Sequence, residues 1–275
     1  MSHLLFNILV FGKGVFDLDT LTVGLGDRSY PIYITTEYNS IGESLHKSGI
    51  KGRLAIITDK NVDKTQSAVF LKSLNDAGYN AEKYVIEAGE NSKNINILQD
   101  IYKFLISLKL DRSSALIALG GGVVGDITGF AASTYLRGID FIQVPTTLLA
   151  QADSSVGGKT GIDFFGAKNI IGAFYQPRFV YINVNSLRTL PICEMKSGLA
   201  ETIKHGIIKN KVFFHYIDDN IYKIFNYDEK VLKHISKINC SIKSSIVEQD
   251  EKESNIRAIL NFGHTIGHAI ESASK

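Results

Sequence analysis

Cysteine is scarce in this chain. Its 275 residues hold two, Cys193 and Cys240, too few for a disulfide framework and without the CxxC spacing of a structural zinc site. That usage fits a reducing compartment, and the expected location is cytoplasmic. Charge of one sign is not in excess either: 30 Lys and Arg against 28 Asp and Glu leave a formal net charge of +2. No global basic field calls for nucleic acid, so any basic patch must be local. No uncharged apolar run approaches the roughly 20 residues of a membrane span, and no membrane partner is expected. Leu4 to Phe11 is apolar, but no lysine or arginine precedes it and no cleavage-like site follows, so a signal peptide is not expected. Residues 1–20 show no clear period and read as an extension without an assigned role. What remains is ordinary for a globular protein: 44% hydrophobic and 21% charged residues, enough to bury a core in one large domain or two modest ones.

Two parts are legible along the chain. Leu21, Val23 and Leu25 alternate with polar or small residues, Gly26-Asp27-Arg28 breaks the run, and Tyr30, Ile32 and Ile34 resume it, which predicts a β-hairpin. Helical spacing follows Asn39-Ser40, a capping pair, at Ile41 and Leu45. Leu54 to Thr58 reads as a buried strand ending in Asp59, Val62 to Asn75 as a helix, and Tyr84 to Ile86 as a strand. Ile97, Ile101, Phe104 and Leu108 mark one face of a further helix. Strands predicted at 114–119, 139–144 and 178–183 alternate with helices at 125–135 and 146–153. That alternation implies a parallel sheet covered on both faces, a Rossmann-like α/β domain over residues 21–187. Beyond Leu190-Pro191 the pattern is helical, at 194–209, at 263–274, and where Val231, Ile235, Ile238, Ile242 and Ile246 repeat at three and four. Residues 188–275 therefore read as an all-α domain.

Several constellations could carry chemistry. Gly120, Gly122 and Gly125 follow a strand and precede a helix, a corner where N–H groups and the helix dipole favour an anion. The plain alternative is a tight turn that packs helix on sheet. The usual ribose-binding acid is poorly placed, since Asp140 opens a strand instead of closing one. His264 and His268 lie four apart, hence on one helical face, a common way to bring two imidazoles to one metal or substrate. Glu201, Lys204 and His205 form another one-face group, for which a solvated salt-bridging face is the blander reading, although Glu201 could serve as a ligand beside a histidine. Lys159, Lys168, Lys243 and Arg257 are scattered cations that matter only if folding gathers them around an anion.

Longer motifs sharpen this. GGGVVGD at 120–126, VPTTLLAQADSSVGGKTGID at 144–163, GLAETIKHG at 198–206 and LNFGHTIGHAIE at 260–271 resemble the 3-dehydroquinate synthase family, in order and from about Leu21 to the last residue. The resemblance implies an NAD- and divalent-metal-dependent enzyme, with zinc or cobalt, and a likeness to homodimers. Its reaction closes 3-deoxy-D-arabino-heptulosonate 7-phosphate into 3-dehydroquinate in the shikimate route to aromatic amino acids. A transient oxidation acidifies a C–H, phosphate is eliminated, the hydride is returned, and an aldol step closes the ring. The resemblance assigns NAD contacts to Asp59, to Ala88, Gly89, Glu90, Asn91, Ser92 and Lys93, and to Gly122, Val123, Val124, Gly125 and Asp126. It adds Thr146, Thr147, Lys159, Lys168, Ser186, Leu187, Arg188 and Thr189. Glu201 and His264 match metal ligands. Asp153, Lys159, Lys204, Lys243, Arg257, Asn261 and His268 match substrate-binding or catalytic positions, and Arg137 an arginine that reaches substrate phosphate across a dimer interface.

Two departures from the family pattern bear on these expectations. Cys193 stands at a usually basic position. The family's third metal ligand is a histidine beyond the GHTxGHA helix, and no histidine follows His268 before Lys275. Weak metal binding, little turnover and exposed apolar surface are the corresponding expectations. Competing readings are another sugar-phosphate cyclase such as an inosose synthase, an NAD- and metal-dependent alcohol dehydrogenase of related architecture, and an inactive NAD-holding fragment.

Overall fold

A computed structural model describes residues 18–273. The predicted hairpin is present: β1 (Asp19–Val23) pairs antiparallel with β2 (Tyr30–Thr35), Leu21 opposite Ile32. Since β1 starts at Asp19, residues 19 and 20 belong to the sheet and not to an extension; residues 1–17 lie outside the described residues. α1 (Ile41–Lys47) begins after Ser40, but that serine does not cap it. Its hydroxyl is engaged with Tyr181 Oη at 2.7 Å. β3 (Leu54–Asp59) ends where predicted. There the Asp59 carboxylate accepts from Asn61 N at 2.8 Å and Val62 N at 3.1 Å, which starts α2 (Lys60–Val62) at the strand's last residue. α2 runs through a π-turn (Asp63–Ser67) into α3 (Ala68–Asp76), so helix covers 60–76.

β4 (Ala81–Ile86) is longer than its apolar tail suggested, because Glu82 and Lys83 lie on an exposed edge strand without a hydrophobic signal. α4 (Ile95–Ser107) buries Leu98, Ile101 and Leu105, with Ile97, Phe104 and Leu108 flanking that stripe. β5 (Ala115–Gly120), α5 (Gly122–Thr134) and β6 (Asp140–Pro145) follow, α5 starting three residues before Gly125. The predicted helix at 146–153 is a short one ending in a π-turn, Ala150–Ser154. Next comes a hairpin the sequence pattern concealed, β7 (Lys159–Phe164) with β8 (Ala167–Phe174). Gly161 and Gly172 are cross-strand partners there, and a Cβ on Gly172 would meet Thr160 O at 2.1 Å. Close backbone contact at that pair removes the side chains whose alternation signals a strand.

β9 (Val180–Asn183) completes the sheet, and a 3₁₀ turn (Val184–Thr189) leads into helices. These are α6 (Ile192–Lys209), α7 (Lys211–Asp219), α8 (Ile221–Phe225) and α9 (Glu229–Gln249). A 3₁₀ turn (Ile256–Asn261) and α10 (His264–Ala273) follow, with no strand after β9 among the described residues. None of the described helices is long and apolar enough to cross a membrane. Phe262, Ile266 and Ile270 are exposed.

The sheet order is β1-β2-β9-β6-β5-β3-β4, parallel except for the β1–β2 pair. Successive side chains face opposite ways: Ala55, Ile57, Leu116 and Ala118 pack toward α4 and α5, whereas Ile56, Ile117 and Leu119 pack toward α1 and α3. A third cluster joins Val23, Ile32 and Ile34 of the hairpin to Ile235, Ile242 and Ile246 of α9. The hairpin thus shares its core with the helices that end the chain. Ile235→Ala is expected to cost about 2–5 kcal/mol, as for other fully buried aliphatic truncations, and to speed amide exchange at Ile32 and Ile34 as well as within α9. Acceleration confined to α9 would mean that hairpin and helices do not share one core.

Candidate active site

β3 leads outward to β4 at the sheet edge, while β5 lies on its other side. Such a reversal opens a crevice beyond the carboxyl ends of the strands. A cleft of about 540 Å³ sits there, walled by Asp59, by Ala88 to Glu90 after β4, by Gly121 to Val124 after β5, and by Thr146 and Thr147 after β6. Gly121 precedes α5 without a side-chain cap, so first-turn N–H groups stay available to an anion. Contact and not turn geometry demands the glycines. A Cβ on Gly120 would meet Val124 Cγ2 at 2.6 Å, and one on Gly121 would meet Thr147 Cγ2 at 3.0 Å.

Lys93 and Asp126 form a pair at 2.5 Å on this wall, and the same ammonium donates to Asn169 Oδ1 on β8. Burial pushes the Asp126 carboxyl up, against the pull of Lys93. Thr189 also lines the cleft, its hydroxyl accepting from Gln66 Nε2 at 2.9 Å. Other expected contacts are not on its walls. Ser92 is buried and donates to Glu87 O at 2.7 Å, and Asn91 is exposed beside it. Gly125 packs under Gln143. Ser186 and Leu187 are core residues, the Ser186 hydroxyl donating to Asn183 O at 2.8 Å. Arg188 turns away to Asn185 Oδ1 at 2.9 Å and Tyr227 O at 3.1 Å, and Lys168 is exposed on β8.

A second cavity, about 510 Å³, adjoins the cleft, and Asp126 and Ser154 line both. Here folding gathers the scattered cations: Lys159, Lys243 and Arg257 share its wall with Asp153, Asn261 and His264. Lys243 projects from α9 at 5% exposure, its Nζ at 2.7 Å from Asp153 Oδ1 and donating to Asp153 O at 2.5 Å. Burial pulls the Lys243 ammonium down. At Asp153 burial works against the charge, but Lys243 and Lys204 outweigh it and hold the carboxyl well below the usual range. Arg257, 1% exposed, is fixed by Gly157 O at 3.2 Å from both terminal nitrogens and by Glu251 O at 2.5 Å. Gly157 permits this at φ +99, where a Cβ would strike the guanidinium at 2.5 Å.

Glu201, Lys204 and His205 of α6 do not form a solvated face. Lys204 and His205 are 6% and 0% exposed. Glu201 Oε1 lies 3.2 Å from His264 Nε2, bridging α6 to α10. Lys204 pairs with the other Glu201 oxygen and donates to Leu260 O at 2.6 Å. His205 Nδ1 meets Asn239 Oδ1 at 2.9 Å, and burial pulls its pKa down. Ligand atoms of Asp153, Glu201 and His205 lie within 4.8 Å of one another.

Three participants had no signal in the sequence. Asn239 orients His205. Asp250 accepts from Ser254 N, Asn255 N and Arg257 N at 2.8, 2.7 and 3.0 Å, which sets the turn presenting Arg257 and lowers its own pKa to about 2. Glu253, at φ +56, pairs with Lys159 and accepts from Asn261 Nδ2 at 3.0 Å. Arg137 is exposed in a turn (Tyr135–Arg137) at the far end of α5. The side chain of His268 lies outside the described residues.

Lys159 is pulled down to about 8 from 10.5, first by burial and then by Arg257 and Lys243. In NMR of reductively ¹³C-methylated protein its signal is expected to titrate near 8, apart from the other lysines; a midpoint above 10 would contradict the crowding of cations. Between about 8 and 10.5 the unfolded chain keeps this proton and the folded one does not. The group's penalty on stability is therefore full below about 8 and relieved as pH rises through that window.

Residues 83–197 match the 3-dehydroquinate synthase N-terminal family model and residues 198–275 the C-terminal one. A 3-dehydroquinate synthase of Acetivibrio thermocellus is 64% identical over 252 residues, 92% of this chain and 70% of that protein. A 2-deoxy-scyllo-inosose synthase solved with carbaglucose-6-phosphate, NAD+ and Co2+ superposes with a TM-score of 0.85 at 29% identity, over 94% of this chain and 70% of that one. The 2-epi-5-epi-valiolone synthase of Streptomyces hygroscopicus, solved with NAD+ and Zn2+, shares the fold with a TM-score of 0.82 at 23% identity, over 91% of this chain and 70% of that one. The two family matches and the 64% identical relative place this chain in the 3-dehydroquinate synthase family.

Proposed function

We propose that the chain binds 3-deoxy-D-arabino-heptulosonate 7-phosphate in the second cavity and converts it to 3-dehydroquinate and phosphate, a carbon–oxygen lyase reaction. NAD occupies the adjoining cleft and a divalent metal, zinc or cobalt, the Glu201–His264 corner. The observation that carries this reading is the single wall on which Asp153, Lys159, Lys243, Arg257, Asn261 and His264 meet, open to the cleft through Asp126 and Ser154. Residues 19–187 serve as the NAD-binding domain and 188–275 as the metal and substrate domain.

The residues present fit both groups. The uncapped α5 N-terminus suits a pyrophosphate and the Asp59 carboxylate a ribose hydroxyl. Glu201 and His264 offer the mixed carboxylate and imidazole donors that zinc accepts. When bound, the two would supply a reversible hydride acceptor and a Lewis acid for the oxygen on the carbon being oxidised.

The chain's own side chains do the rest. Lys159, Lys243 and Arg257 hold the substrate's carboxylate and phosphate, a preorganised cationic frame that needs no reorganisation during reaction. Asp153, kept ionised by Lys243 and Lys204, accepts a hydrogen bond from a sugar hydroxyl but is a poor store for a proton. In the scheme that the family resemblance implies, the proton lost in elimination goes to the departing phosphate. Arg137 stands about 20 Å from the α5 N-terminus, the length of a 13-residue helix, and acts on the phosphate bound by a second copy in a homodimer.

Incubation with the heptulosonate phosphate, NAD and Co2+ is expected to release phosphate and 3-dehydroquinate in equal amounts. Inosose formation from glucose 6-phosphate, with the heptulosonate untouched, would instead place the chain among the other cyclases. Lys243→Met, which keeps the volume and removes the charge, is expected to lower kcat/KM by about 10²–10³, the scale of one lost electrostatic contact in a closed site. A smaller loss in a variant with native circular dichroism would remove Lys243 from the mechanism.

Glu253 occupies Lys159 and Asn261, two residues assigned to the substrate. Glu253→Gln is expected to lower KM about 2–5-fold, the size of a half-exposed ion pair that no longer has to be broken. An unchanged or raised KM would show that Glu253 does not compete with substrate.

A further inference from the structure

Three side chains from distant segments form a chain of hydrogen bonds that ends on the wall of the dinucleotide cleft. Tyr38, 2% exposed, lies before α1, and Gln66, 8% exposed, sits in the π-turn after α2. Thr189 closes the 3₁₀ turn after β9. Thr189 Oγ1 donates its one proton to Ser186 O at 3.0 Å. At the 2.9 Å contact between Thr189 Oγ1 and the Gln66 amide, the donor is therefore Gln66 Nε2. Gln66 Oε1 is then the atom that meets Tyr38 Oη, 3.1 Å away, and the phenol donates to it. The Tyr38 ring is set edge-on to Phe70, with centroids 5.1 Å apart, so the amide is held in one orientation from both ends.

This chain is not exhausted by its own bonds. An amide nitrogen carries two hydrogens and a hydroxyl oxygen two lone pairs. Among the described residues Gln66 Nε2 donates once and Thr189 Oγ1 accepts once, to each other. One donor and one acceptor remain, on two residues that both line the cleft. The wall also carries the aliphatic Val62, Leu149, Leu190 and Pro191. A flat heterocycle fits against such side chains, with a few placed polar groups left to fix its edge. A single π-turn within a helix, like the one that carries Gln66, often marks a functional position.

Polarity selects the ring. Adenine offers a ring nitrogen, an acceptor, beside an amino group, a donor. The nitrogen answers Gln66 and the amino group answers Thr189. Hypoxanthine and guanine carry a carbonyl oxygen in place of that amino group, so Thr189 would face a second acceptor. We infer that Gln66 and Thr189 read the base of the dinucleotide as adenine, and that Tyr38 is a positioning residue that keeps the Gln66 amide from turning over. The inference rests on the proposed NAD cleft and adds to it Gln66 and Tyr38, which lie outside the long motifs.

Calorimetry on the full chain can compare NAD with nicotinamide hypoxanthine dinucleotide, in which the base's amino group is exchanged for an oxo group. The wild type is expected to bind NAD about 10–100-fold more tightly, the effect of leaving a buried polar group unpaired. Gln66→Leu, which fills similar space without polar atoms, is expected to cut that ratio at least about 5-fold, and Tyr38→Phe, which releases the amide, to cut it in the same direction. A merely structural role would weaken both dinucleotides together and leave their ratio unchanged. Circular dichroism checks the folding of each variant, and the wild-type ratio decides the matter if neither folds. Equal wild-type affinities, or an unchanged ratio in folded Gln66→Leu, would overturn the inference and leave the proposed function standing. No NAD binding by the wild type would overturn both.

Discussion

Burying an ammonium without a counter-charge costs several kcal/mol, and this fold buries two of them at the junction of its halves. Lys243 comes from the long helix α9 and finds Asp153 on the turn after β6, 90 residues earlier. Lys204 finds Glu201 and the carbonyl of Leu260. Removing either carboxylate would strand a buried charge, and the Lys243–Asp153 pair ties α9 to the segment after β6. The joint that fixes their relation is also the place where we propose that a polyanionic sugar has its charges recognised. Stability and recognition draw on the same few groups.

Supporting turns show how little of this is local. Arg257 is held by carbonyls of Gly157 and Glu251, and the turn carrying it is tied by three N–H groups to Asp250. Each partner is an ordinary polar residue or a main-chain oxygen. Their effect comes from convergence, and a rigid guanidinium in a site for planar anions follows from it.

What could be read from the sequence divides along physical lines. Alternation and helical spacing found the hairpin, β3, β5, β6, β9 and the long helices, because burial of one face imposes a period. The β7–β8 hairpin escaped because the Gly161–Gly172 contact erases that period, and the edge strand β4 because its first half is polar. The family motifs pointed mostly to residues that lie on the two cavity walls. They named Ser186, Leu187 and Arg188 as well, whose side chains face the core or the opposite surface. A motif marks a segment, whereas the φ and ψ of each residue decide which way it points. Glu201, Lys204 and His205 were visible as a group, yet spacing alone could not tell a solvated face from a buried one. Asn239, Asp250 and Glu253 become meaningful only when distant segments meet.

Asp126 and Ser154 form part of the wall of both cavities. A ligand that reorders either residue from one side changes the free energy of binding on the other, and such coupling is reciprocal. Whatever the dinucleotide gains from the sugar's presence, the sugar must gain from the dinucleotide's. The partition between them thus acts as a balance whose two pans cannot be loaded independently.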